Sequence, residues 1–148
     1  RQELPLLAES AQATLKDIGM DVDINCTADN NSVVQDPAAW DVYAMANVQA
    51  PTGDPEYWFT VFATSDATKN QGAYKNEKLD QLEEQLSQEF DTDKRAKLAV
   101  EMQQTVLDDN AFVYCSFLKM SQISRANVTG YMAHACDYYQ VTADLDIN

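Results

Sequence analysis

Apolar residues recur every three to four positions through the first segment, ELPLLAESAQATLKDIG, so that Leu7, Ala11, Leu15 and Ile18 share one face of a helix. Pro5 is tolerated in the first turn, and Gly19 suits the C-terminal cap. At Met20 the period shortens to two. Met20, Val22, Ile24 and Cys26 alternate with Asp21, Asp23 and Asn25, which predicts a strand with one buried face. The segment TADNNSVVQDPAA has no sustained period and reads as a loop with one helical turn around Ser32 to Gln35. WDVYAMANV, Trp40 to Val48, is denser in apolar residues and predicts a second, more central strand. In QAPTGDPEYWFTVF two prolines and a glycine force a turn ahead of Tyr57, Trp58, Phe59 and Phe62, and a short helix is expected from about Pro55.

From Asn76 to Asp108 the helical period returns twice. Leu79, Leu82 and Leu86 form one stripe, Asp91 is the expected N-cap after the turn, and Leu98, Met102, Val106 and Leu107 form the second stripe. Glu83, Glu84, Lys94, Arg95 and Glu101 fall on outer faces and read as solvated, as do Asp108 and Asp109 at the end of the second helix. The last third differs. AFVYCSFLKMSQIS reads as one or two strands, and NVTGYMAHACDYYQVTADLDIN continues as short extended pieces with no helical stripe. Helices feeding directly into strands indicate an α/β layer, and the tail calls for an outside sheet or core to pack against.

Composition narrows the function. The 148 residues carry 24 acidic and 10 basic side chains, a formal net charge of -14, which repels a nucleic acid over most of the surface. The 45 % hydrophobic content fits one folded domain. No apolar run is long enough to span a membrane, and RQELPLLAES lacks the layout of a signal peptide. The chain begins without Met and directly on a helical pattern, so a fragment of a longer protein is expected.

Candidate chemistry is sparse. Cys26, Cys115 and Cys136 are odd in number and widely spaced, which suggests buried apolar residues rather than a disulfide framework or a metal clip. No phosphate-binding glycine loop, GxSxG or HExxH is present, and any Ser-His-Asp arrangement would have to use His134, the one histidine. With 24 carboxylates, pairs of them carry no information about acid/base catalysis. A hydrolase is therefore the last of the readings. Trp40 and Tyr43 read as anchors of the second strand. Tyr57 and Trp58, beside a loop of fixed path, suit either the core or the wall of a small-molecule cleft. His134 stands between Ala133 and Ala135 and cannot build a metal site alone, although it could give one ligand to a metal that arrives chelated.

Four stretches together resemble the C-terminal part of the bacterial extracytoplasmic solute-binding proteins of ABC importers, the family of oligopeptide-, dipeptide- and nickel-binding proteins. They are ELPLLAESAQATLKDIGMDVDI, WDVYAMANVQAPTGDPEYWFTVF with its "DP" step, GAYKNEKLDQLEEQLSQEFDTDKRAKLAVEMQQTVLDDNAFVYCSF, and NVTGYMAHACDYY. The third is the most specific, with Tyr74-Lys75-Asn76, Leu79 and Leu82, Asp93-Lys94-Arg95 and a Gln-Gln helix in the family's order.

The resemblance implies the second lobe of a two-lobed, type II periplasmic-binding-protein-like fold, a mixed sheet flanked by helices that closes on its ligand by hinge motion. Residues 1–110 would form that lobe, and residues 111–148 the hinge-crossing strand and a tail that packs on a first lobe. It also implies solute capture rather than catalysis, an ABC permease as partner, an extracytoplasmic location, no intrinsic cofactor, and membrane contact only through a lipid anchor on a preceding N-terminal segment. The cleft wall would comprise the loop Asn47 to Gly53, with Asn47 and Gln49, and the aromatics Tyr57 and Trp58. Gly130, His134 and the run Asp137-Tyr138-Tyr139 look like the nickel-type branch, in some members of which a histidine of this segment faces the cleft and can bind a metal chelate. That implies the same role for His134. Gln49 and Gly53 stand where other nickel-type members carry aromatics, and 62–74 has no histidine, so the ligand stays open between a nickel chelate and a short peptide. A different class of function, a permease-docking module presented by the helices of 76–108, remains the alternative.

Overall fold

The computed structural model describes residues 1–36, 38–119, 121–134 and 141–148. Helix α1 spans Glu3–Asp17 and ends as its sequence predicts. Gly19 takes a positive φ of 83°, which lets its N–H reach the Lys16 carbonyl at 3.0 Å and the Met20 N–H reach that of Leu15 at 3.0 Å. The chain then folds back along the helix, with the Gln12 amide donating to the Val22 carbonyl at 2.6 Å. A short helix α2 (Asn30–Val34) interrupts the following loop where a helical turn is expected.

The core forms further along. Helix α3 (Glu56–Trp58) starts after Pro55 and runs on as one π-helical turn, Phe59–Ala63. Helices α4 (Glu77–Gln88) and α5 (Thr92–Asp108) make a hairpin against it. Each of the two helices has the cap its sequence calls for. Asn76 Oδ1 accepts from the Leu79 N–H and Asp91 Oδ1 from the Lys94 N–H, both at 3.0 Å. The buried set is Trp58, Phe59, Phe62 and Ala63 from α3 and the π turn, Leu79, Leu82 and Leu86 from α4, and Ala99, Met102 and Val106 from α5. The α4 stripe is buried throughout. On α5 the stripe is shifted: Ala99 and Thr105 are buried with Met102 and Val106, whereas Leu107 is exposed.

The mixed sheet is the main departure. Among the described residues the expected strands at 20–26, 40–48 and 111–117 join no ladder. A strand has no hydrogen bonds of its own and is stable only beside a neighbour, which none of these segments finds here. The alternation survives only in the middle of the first segment, where Val22 and Ile24 are partly buried between exposed Asp21, Asp23 and Asn25, whereas Met20 and Cys26 are exposed. The sheet that does form is a two-stranded antiparallel clip of β1 (Val128–Thr129) and β2 (Asp146–Ile147), pairing Val128 with Ile147 and Thr129 with Asp146. The Asn148 N–H extends it to the Asn127 carbonyl at 2.9 Å.

Candidate functional site

The loop that carries Asn47 and Gln49 leads through a turn in which the Gly53 N–H donates to the Ala50 carbonyl at 3.0 Å, with Gly53 at φ 82°. Asn47 is partly buried and Gln49 exposed. Asp54 then closes the loop and opens α3, its Oδ1 accepting from the Glu56 N–H at 2.9 Å. Tyr57, one residue into α3, is partly buried, with its ring edge-on to Phe62 at 6.4 Å between centroids.

Trp58 is placed differently from a wall residue. It is 8 % exposed, and its ring lies 5.3 Å from Phe59, 5.3 Å from Phe112 and 6.0 Å from Tyr114. Its area goes into an aromatic core that anchors the segment after α5 to α3. Trp40 and Tyr43 sit beside each other at 5.8 Å, and the Tyr43 hydroxyl accepts from the Asn30 amide at 3.1 Å.

His134 is exposed, on the segment that leaves β1. The Asp137-Tyr138-Tyr139 run and Cys136 lie outside the described residues. Cys26 and Cys115 are exposed rather than buried, which overturns the expectation of small core residues: each lies on a segment that lacks the strand partner needed to cover it. Among the described residues no three His, Cys, Asp or Glu side chains gather as a metal site. Among the described residues, one depression lies between α1 and its returning strand-like segment (Gln12, Lys16, Met20, Val22) and another on α5 (Asp93, Ala96, Lys97, Val100), and neither contains the candidate residues.

Glu84, Lys94, Glu101 and Asp108 are exposed as expected, but Arg95 and Asp109 each enter a polar cluster. The Arg95 side chain, 17 % exposed, reaches from α5 to the loop. Its Nε donates to Asp54 Oδ2 at 3.1 Å, and its Nη2 to both Asp54 oxygens at 2.8 Å and to Glu56 Oε2 at 2.6 Å. Its Nη1 donates to the Leu86 and Glu89 carbonyls, at 2.6 and 2.7 Å, in the turn between α4 and α5. These contacts occupy all five guanidinium N–H groups. The guanidinium hydrogen bonds hold the Asp54 carboxyl below its ordinary range, and the two carboxylates raise the Arg95 guanidinium in turn.

Asp109 forms the second cluster. Its Oδ2 accepts from the Tyr74 hydroxyl and from the Asn76 amide, both at 2.7 Å, so the end of α5 is tied to the start of α4. Burial, and then the hydrogen bond to Asp109, push the Tyr74 hydroxyl up to about 12, while the Tyr74 and Asn76 donors hold Asp109 below its ordinary range.

The sequence reading missed both clusters. One signal did point to the first: the "DP" step and the Asp93-Lys94-Arg95 run, two separate features of the resemblance, meet in this structure as a single contact.

With this geometry in view, comparison with known proteins gives a consistent relative. No known protein-family model matches the chain. The nickel-binding protein NikA of Staphylococcus aureus is 29 % identical over 99 residues, 67 % of this chain and 20 % of the relative. A crystal structure of NikA from Staphylococcus aureus in complex with Ni(L-His)2 superposes on 99 % of this chain with a TM-score of 0.80 at 23 % identity, and the match spans 31 % of that chain. This chain thus spans less than a third of the relatives it matches, which are nickel-binding proteins. Over the matched residues the chain is similar in sequence to the nickel-binding protein NikA, and it shares the fold of the part of that structure on which it superposes.

Proposed function

We propose that the chain supplies one wall of the ligand cleft in a two-lobed, extracytoplasmic solute receptor, and that the solute is a nickel chelate of the amino-acid type delivered to an ABC permease. The observation that carries this reading is the superposition, over nearly the whole chain, on a protein whose crystal structure holds Ni(L-His)2. Residues 1–110 would belong to the second lobe, and residues 111–148 would cross back and pack on the first. The exposure of Val113, Phe117 and Ile123, at 87, 79 and 91 %, supports that arrangement, because apolar side chains in such a row are normally covered. So does α1, which buries no residue here.

The wall residues suit such a ligand. Asn47 and Gln49 offer amide donors and acceptors for the carboxylates and amines of a chelating amino acid, and Tyr57 offers a ring face for its apolar part. His134 would enter from the return segment, where a neutral imidazole can take a position on nickel or hydrogen-bond the chelate. Trp58 would act one layer down, fixing α3 beneath Tyr57. The protein itself would need no resident cofactor, the metal being cargo.

A second reading concerns the partner. The outer face of α5, with Val100 63 % exposed beside Asp93, Ala96 and Lys97, is suited to docking on a permease. It complements capture, since a receptor must do both. Native mass spectrometry of the full-length protein as purified tests the main reading. The expected result is an added mass of nickel with its organic chelator; a peptide mass in its place would sink the nickel reading and leave the binding role.

A further inference from the structure

The geometry points to Arg95 as the positioning residue of the cleft loop: it fixes the Asp54–Glu56 corner, and through it Gln49 and Tyr57, to the hairpin of α4 and α5. The inference rests on the reading of the loop from Asn47 to Gly53 as a cleft wall.

The chain of contacts runs in one direction. Asp91 caps α5, and the Arg95 N–H makes the first helical bond to the Asp91 carbonyl at 2.9 Å, which sets where the Arg95 side chain leaves the helix. The guanidinium plane then has two sides. Nη1 is committed to the carbonyls of Leu86 and Glu89, which belong to the hairpin turn. Nε and Nη2 are committed to Asp54 and Glu56, which belong to the loop. Asp54 in turn accepts from the Glu56 N–H at the start of α3, one residue before Tyr57. One side chain therefore decides how the loop end and the start of α3 sit on the rigid part of the molecule.

With all five donors used, Arg95 has none to offer a ligand, so its effect on binding must pass through the loop. An ammonium cannot replace it. Lysine presents three donors from a single point and cannot span two carbonyls on one side and two carboxylates on the other.

The experiment compares Arg95→Met, Arg95→Lys and Asp54→Asn with the wild type in the full-length protein, by residue-resolved amide exchange and by titration with nickel and L-histidine. Exchange at Gly53 and Glu56 is expected to rise about tenfold or more in Arg95→Met, as for loss of a coupled contact, while Leu82 and Met102 in the helix cores stay protected. Arg95→Lys is expected to restore little of this, Asp54→Asn to resemble Arg95→Met at the loop, and affinity for the nickel–histidine complex to fall in step. Unchanged exchange at Gly53 and Glu56 would overturn the inference, and so would an equal rise at Leu82 and Met102, which would make Arg95 a general stabiliser. If the wild type takes up no nickel–histidine, the proposed function fails, and the exchange comparison still decides the role of Arg95.

Discussion

Gly130 is the residue whose replacement has the clearest outcome. It holds φ 73° next to β1, and a Cβ there would collide with the backbone carbonyl of Asp144. Gly130→Ala should cost about 1–2 kcal/mol in backbone conformation alone and open the β1–β2 clip. Amide exchange at Asn148, whose N–H bonds across the clip to the Asn127 carbonyl, should rise while α4 and α5 keep their protection. Two titrating groups give pH signatures. The native Asp54 carboxyl is lowered by Arg95, so the stability it contributes is present above its ordinary value of 3.8 and is lost as the pH falls through the lowered native value. Asp54→Asn should therefore flatten the acid limb of the stability curve. Tyr74 has the opposite sign. Its native value of about 12 lies above the ordinary 10.0, so its contribution is complete below pH 10 and disappears as the pH climbs from there toward 12. Tyr74→Phe should reduce that alkaline loss in a pH series of thermal unfolding. Arg95 marks what a sequence cannot tell at this scale. Helical spacing puts it on an outer face, and nothing local indicates a carboxylate 41 positions earlier.

The helices were legible because their signals are local. The stripe of Leu79, Leu82 and Leu86, the cap Asp91 and the glycine after α1 each act within one or two turns, and each is found where it is expected. The hairpin of α4 and α5 holds most of the buried set, so stability concentrates there. Leu86 is fully buried, and Leu86→Ala should cost about 3 kcal/mol, whereas Asp91→Ala should cost about 1 kcal/mol through loss of the cap. Denaturant unfolding measures both. The strands were legible only as a pattern. Val22 and Ile24 turn inward in the predicted alternation, yet no ladder forms, because pairing depends on a neighbour that a period-two sequence cannot name. The same cause left Cys26 and Cys115 exposed against expectation. Trp58 was open between core and wall, and the deciding contacts come from Phe112 and Tyr114, more than fifty positions further on.

For the molecule as a whole, the proposed site is a wall rather than a pocket. Asn47, Gln49 and Tyr57 lie on or beside one loop braced by Arg95, and the exposed apolar row at Val113, Phe117 and Ile123 invites a second body over it. A ligand cleft buries most of its ligand, which one wall cannot do. The 148-residue chain alone should therefore bind a nickel–histidine complex at least about tenfold more weakly than the full-length protein, a loss of roughly 1.4 kcal/mol. The proposed role of the chain in metal-chelate capture is tested most directly by calorimetric titration of the metal-free full-length protein with nickel in the presence of L-histidine. The account predicts saturable binding at a single site with a Kd of about 1 μM or tighter. No saturable heat under those conditions would contradict it.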